Sequence, residues 1–153
     1  MRPNYVLATS SLMLLLPAWA ALKVGDEVRV WYHAGVTVVS ITYHLTKHPV
    51  IFWIDVVVAN SLVPSVLTLV TQRDYMIFSY LTCVGYCFTI FYCGYMKKDL
   101  VWHPDPRVAT TYHISLHWAA AFGIAFAILL TNSALTLERS RIQTSRLEVA
   151  DAP

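Results

Sequence analysis

Five long apolar stretches dominate this chain and limit what it can fold into. They lie at about residues 5–22, 28–46, 50–71, 75–96 and 110–132, and most charged residues fall in the gaps between them. Each stretch is close to the roughly 20 residues that a helix needs to cross the hydrocarbon core of a bilayer. None alternates apolar and polar residues as a strand does, and only helices and closed barrels can span a membrane. The pattern therefore predicts an all-α, polytopic transmembrane helical bundle of about five helices.

The composition points the same way. Hydrophobic residues make up 57% of the 153 residues and charged residues 13%, whereas globular proteins average roughly 45–50% and 25%. The formal net charge is +2 and no basic patch is interleaved with aromatic residues, so nucleic acid is not an expected partner. We predict one transmembrane domain over residues 1–136, with antiparallel neighbours joined by short loops. A polar tail at 137–153, expected to be a frayed helix or disordered, follows it.

The first apolar stretch has a second interpretation. Arg2 precedes its apolar run, and the run closes with Pro17-Ala18-Trp19-Ala20, which is typical of the small-residue cleavage site of a secretory signal peptide. If the stretch is retained, it is the first of five helices. If it is cleaved, the mature bundle has four.

A few polar side chains interrupt the apolar stretches. His113 and His117 open the last stretch, and because they are four residues apart, both imidazoles lie on one face of a helix. Ser40 and His44 have the same spacing near the end of the second stretch, and Asp55, near the start of the third, is the only acid within the five. Ionisable residues at membrane depth are costly, so they usually mark a function.

The direction in which the helices run places these residues together. The second helix ends on the side of the membrane where the third begins, and the fourth returns the chain to that side for the start of the fifth. His44, Asp55, His113 and His117 are therefore predicted to lie at a similar depth on the same side. This prediction holds whether or not the first stretch is cleaved.

Three histidines and one acid at one depth favour a metal site over separate structural roles. Alone, each histidine could be a hydrogen-bonded interfacial residue, Asp55 a helix cap and Ser40 a residue bonded to its own helix. Three neutral imidazoles with a fourth position left for water is the arrangement of catalytic zinc. We predict that His44, His113 and His117 bind zinc. Asp55 is then free to hold or deprotonate a water, and Ser40 to steady an oxyanion.

Haem is the alternative cofactor. His44 paired with His113 or His117 could supply the two axial ligands of one haem. Two histidines one turn apart cannot both be axial ligands of the same haem, however, and Asp55 would have no role. The pattern favours zinc.

These residues resemble a motif of the CREST superfamily of membrane proteins. That group includes the alkaline ceramidases, the adiponectin and progestin receptors, and the branch of myomaker and the post-GPI-attachment phospholipases. Its pattern is Ser-x3-His on the second helix, Asp on the third and His-x3-His on the last. This chain has Ser40-x3-His44, Asp55 and His113-x3-His117 in that order.

The resemblance implies a zinc-dependent lipid hydrolase that cleaves an amide or ester bond of a ceramide or phospholipid. It also implies a multi-pass protein of the secretory pathway or plasma membrane. Family members have seven helices, and this chain has five apolar stretches. The two missing helices lie between the third and the last. Because their number is even, the last helix still starts on the side of the membrane where the second helix ends. Because of this difference, two alternatives stay open. The chain could form a homo-oligomer or bind a membrane partner subunit. It could also be a receptor-like, fusion-promoting or assembly protein with a structural zinc.

Overall fold

The computed structural model describes residues 3–70 and 74–150, and within these ranges the chain is helical apart from short turns. Five helices follow one another, as the sequence predicts. Helix α1 is Tyr5–Lys23, α2 is Glu27–Thr46, α3 is Pro49–Val70, α4 comprises residues 74–97, and α5 is Pro106–Ala150. The predicted all-α class and the number of helices are confirmed. Residue 71, the predicted end of the third stretch, lies outside the described residues.

Tight turns at the helix ends make α2 antiparallel to both α1 and α3. The side chain of Asp26 caps α2 by accepting a hydrogen bond from the backbone N–H of Arg29 at 3.0 Å. At the other end, Lys47 adopts a left-handed conformation with φ of 53°, and its N–H donates to the carbonyl of Tyr43 at 2.7 Å. Pro49 then opens α3, where its lack of an N–H costs nothing.

Helix α4 is irregular near its end. It is α-helical over Asp74–Phe88, widens into a π-turn at Thr89–Cys93 and closes with Gly94–Lys97. The indole N–H of Trp102, in the connection to α5, donates to the carbonyl of Phe91 at 3.0 Å. The same carbonyl also accepts from the backbone N–H of Gly94, and the bond from Trp102 ties the connection to α4.

Helix α5 is longer than its apolar stretch. It begins at Pro106 rather than near residue 110, and it continues to Ala150. The tail that we expected to be frayed or disordered is therefore helical up to Ala150, while residues 151–153 are outside the described part. No glycine or proline interrupts residues 124–152, so the chain has no local reason to leave the helix. Residues 135–145 are exposed, because this part of α5 extends past the bundle.

Small residues let α1, α2 and α5 pack closely. Ala20, Ala21 and Ala121 are fully buried and form one core cluster with Val36 and Ile128. Alanines at helix contacts allow two backbones to approach, as is common in membrane bundles. By length and mean hydropathy, two helices of the described part can cross a membrane, namely Tyr5–Lys23 and the first 40 residues of α5.

Candidate metal centre

The fold brings His44, His113 and His117 into one cluster. His44 lies two residues before the end of α2, and the other two lie in the third turn of α5 and the turn that follows. One ring nitrogen from each lies within 4.8 Å of the other two. The ring centroids are 4.8 Å apart for His44 and His113, 4.9 Å for His113 and His117, and 5.5 Å for His44 and His117. The three histidines can therefore hold one metal ion.

The burial of these rings fits a metal ligand set. His44 is 0% and His117 6% exposed. In the part of the chain that the structure describes, Nε2 of His44 is buried and has no hydrogen-bond partner. An unpaired buried nitrogen costs about 1–3 kcal/mol, and a bound cation would remove that cost. Imidazole suits zinc, copper, iron and nickel alike, so the three histidines could hold any of these ions, and the geometry does not select one metal.

Ser40 and Asp55 lie where the helix directions predict. Ser40 is buried, with 2% of its surface exposed. Both residues line the same cavity as His113 and His117. The acid and the hydroxyl are thus available to a molecule that enters beside the histidines.

Helix α1 supplies site residues that the sequence interpretation missed. The hydroxyl oxygen of Ser10 is 2.8 Å from Nδ1 of His117, and that of Ser11 is 3.1 Å from the hydroxyl oxygen of Ser40. The argument from helix direction gives their depth but not the partners of their hydroxyl groups. The start of α1 lies on the same side as the end of α2, so serines early in α1 reach the depth of the histidines.

Lys47 was also missed. Its ammonium lies 3.2 Å from Nδ1 of His44 and 4.7 Å from the centre of the Tyr43 ring. Burial lowers the pKa of Lys47, and the negative charge of Asp55 opposes this shift. The ammonium donates to Nδ1, so a neutral His44 ring carries its own proton on Nε2. Metal binding by Nε2 requires that proton to move to Nδ1, and Lys47 therefore competes with a metal for this ring.

A cavity of about 190 Å³ adjoins the cluster, and its lining is mostly apolar. All five helices contribute to it, for example through Leu14, Val36, Val56, Val84 and Ile124. Because a helix rises about 1.5 Å per residue, the lining residue Ile124 lies on the order of 10 Å along α5 from His117. The cavity thus extends from the polar cluster into the apolar interior of the bundle.

The other three histidines lie apart from the cluster. His33 is buried toward the opposite end of α2. His48 and His103 are in the connections before α3 and α5, where their Nδ1 atoms accept from the backbone N–H groups of Val50 at 3.3 Å and Asp105 at 3.0 Å. The two loop histidines therefore stabilise local turns.

Comparisons of this chain with models of known families, with characterised proteins and with solved structures found no match.

Proposed function

We propose that the protein is a zinc-dependent integral-membrane lipid hydrolase of the CREST type, which cleaves an amide or ester bond of a ceramide or phospholipid. The observation that carries this proposal is the convergence of three histidines, beside Asp55 and Ser40, at one end of an apolar cavity. A metal site alone would suit many functions. An acid, a hydroxyl donor and an apolar cavity next to it favour hydrolysis of a molecule with a long apolar part.

The residues divide into three roles. His44, His113 and His117 would hold the metal. A zinc ion in such a site supplies a water with a pKa near 7 and polarises a carbonyl group. Asp55 accepts a proton from the attacking water and returns it to the departing amine or alcohol. Ser40 donates a hydrogen bond to the negative charge that develops on the carbonyl oxygen.

The outer surface of the bundle supports a membrane location. Large apolar side chains are exposed around it, including Trp31, Trp53 and Phe126, which are 76%, 65% and 57% exposed. An exposed apolar surface of this extent is unusual on a soluble monomer. We infer a multi-pass protein of the secretory pathway or plasma membrane, in which these side chains face lipid and the substrate reaches the cavity from the bilayer.

Metal analysis and lipid hydrolysis by the purified protein test the proposal. We expect about one zinc per chain, together with release of fatty acid from a ceramide or a glycerophospholipid. Asp55→Asn should keep the metal and lose at least about 100-fold in rate, since general acid–base groups contribute roughly 10²–10⁴-fold. His113→Ala should lose the metal, whereas His48→Ala, with an exposed histidine outside the cluster, should keep it. Folded protein without metal, or full hydrolysis by Asp55→Asn, would contradict the proposal.

The shortened bundle favours one second candidate. A receptor-like, fusion-promoting or assembly protein could keep zinc for structure after losing two helices. It predicts stoichiometric zinc, no hydrolysis of any lipid and no cellular phenotype for Asp55→Asn. Haem is disfavoured because the His44, His113 and His117 rings contact one another edge to face. A porphyrin would have to lie between its two axial ligands, and a Soret band in the absorption spectrum would restore this candidate.

A further inference from the structure

The hydroxyl of Ser10 has two neighbours that together fix its role. It donates to the carbonyl of Leu7 at 2.9 Å, one turn earlier in α1, and it lies 2.8 Å from Nδ1 of His117. A serine hydroxyl carries one proton. With that proton donated to Leu7, the oxygen accepts from His117, and the neutral imidazole carries its proton on Nδ1. Nε2 is then the ring nitrogen with a free lone pair.

The neighbouring hydrogen bonds agree with this assignment. The carbonyl of Leu7 is also approached by the N–H and the hydroxyl of Ser11. A carbonyl has two lone pairs, which the Ser11 N–H and the Ser10 hydroxyl fill. The Ser11 hydroxyl can then donate to Ser40 at 3.1 Å. Each proton of the Ser10 and Ser11 hydroxyls has an acceptor in this arrangement.

We propose that Ser10 is a positioning residue of the metal centre and that α1 is part of that centre. The proposal rests on the metal site of the proposed function. A metal-binding histidine commonly donates its other N–H to a group that fixes its tautomer and ring orientation, and loss of that group costs metal affinity. Ser10 does this for His117, and Ser11 does the equivalent for the hydroxyl of Ser40.

The path of α1 explains how consecutive serines reach two different helices. Ser10 faces α5 and Ser11 faces α2, because consecutive residues on a helix point about 100° apart. A 3-10 turn at Ser11–Leu14 begins at this point. Short 3-10 segments inside a helix often mark functional positions, and here the segment adjoins both hydroxyls.

Further contacts hold α1 in register with the metal cluster. The backbone N–H of Asn4 donates to the carbonyl of His44 at 2.9 Å, and its side chain donates to the hydroxyl of Thr110 at 3.4 Å. At the other end of α1, Ala20 and Ala21 are fully buried in the core. Cleavage after Ala20 would remove Ser10 together with Asn4 and Ala20. We therefore expect the functional protein to retain α1.

Metal affinity of matched variants tests the role of Ser10. Ser10→Ala should bind zinc about 10- to 100-fold more weakly than the unmodified protein in competition with a chromophoric chelator. Thr9→Ala is the matched control, because Thr9 is the preceding residue, is exposed and bonds its hydroxyl only within α1, to Tyr5. Ser10→Thr keeps a hydroxyl and should restore most of the affinity. The cobalt-loaded Ser10→Ala protein should also have shifted d–d absorption bands, which a purely structural role for Ser10 would leave unchanged.

The outcomes separate this inference from the proposed function. If Ser10→Ala and Thr9→Ala both bind zinc as tightly as the unmodified protein, the role of Ser10 is refuted and the metal site stays intact. No zinc binding by the unmodified protein would overturn both. The intact mass of protein purified from membranes tests the retention of α1. A mature chain that begins after Ala20 and still binds zinc would show that α1 is dispensable and overturn the proposal.

Discussion

A glycine in the last helix permits the close approach of α4 and α5, and its substitution gives a sharp test of the packing. A Cβ atom placed on Gly123 would lie 2.6 Å from Sγ and 3.2 Å from Cβ of Cys83. Carbon atoms in contact normally sit about 3.5–4.0 Å apart. Cys83 cannot turn away freely, because its thiol donates to the carbonyl of Ala119 at 3.3 Å. Gly123→Ala must therefore push the two helices apart or break that bond.

The size of the effect follows from a comparison with a second glycine. Overpacking of this kind costs about 1–3 kcal/mol, while alanine gains roughly 1 kcal/mol over glycine inside a helix. Gly85 lies in α4, and a Cβ there would meet no atom of the described residues within 4 Å, so Gly85→Ala has only the gain. Stability should thus differ by about 1–3 kcal/mol between the two variants. At roughly 2–4 °C per kcal/mol for a chain of this size, Gly123→Ala should melt several degrees below Gly85→Ala.

Thermal unfolding in detergent, followed by intrinsic fluorescence, measures this difference. The same substitution in a Cys83→Ala background should lose about half of its penalty or more, since the 2.6 Å contact with Sγ is gone and only the 3.2 Å contact with Cβ stays. Two results would refute the reasoning. One is a Gly123→Ala protein that melts at or above the temperature of Gly85→Ala, and the other is an equal penalty in both backgrounds.

Three further predictions concern the site and its surroundings. Lys47→Met should raise zinc affinity about tenfold or more, because it removes an ammonium whose hydrogen bond to Nδ1 of His44 keeps the ring proton on Nε2, the metal-binding atom; Lys98→Met, in an equivalent left-handed position after α4, should have no effect in the same chelator competition. Trp102→Phe should lower the free energy of unfolding by about 1 kcal/mol, since the bond to the Phe91 carbonyl is lost, and an unchanged melting temperature would contradict this. Zinc at 100 times its dissociation constant should stabilise the fold by about 2.7 kcal/mol, and a chelator should reverse the rise in melting temperature; a melting temperature that does not respond to zinc would argue against the site.

The helix directions were sufficient to predict which residues meet. His44, Asp55 and the two histidines of α5 are distant in sequence, yet the alternation of five helices places them at one level. In the structure Asp55, His113 and His117 line one cavity, and the His44 ring contacts those of His113 and His117. The reason is that an apolar stretch of helical length leaves little freedom in where its ends lie. The start of α5 was placed about four residues late, although Pro106, a favoured first helical residue, marks it.

Features that depend on local geometry could not be predicted in the same way. The contact of Lys47 with His44 requires the left-handed turn that ends α2, and a lysine is an uncommon residue at that conformation. The π-turn at Thr89–Cys93 lies in an apolar run whose sequence pattern does not distinguish an α-helix from a π-turn. Ser10 was missed because a serine in an apolar helix is usually bonded to its own backbone. Only the position of α5 shows that its oxygen has a second partner.

The cavity gives a last prediction about the state in which the protein works. All five helices line it, and the three histidines, Asp55 and Ser40 belong to one chain. Helices α3 and α4 both pack on α5, so the lining of the cavity comes from a single chain. We therefore expect the monomer in detergent to bind one zinc. Light scattering after size exclusion, combined with metal analysis of each fraction, measures this. Zinc confined to a dimer fraction, with a folded monomer that binds none, would mean that a second chain completes the site.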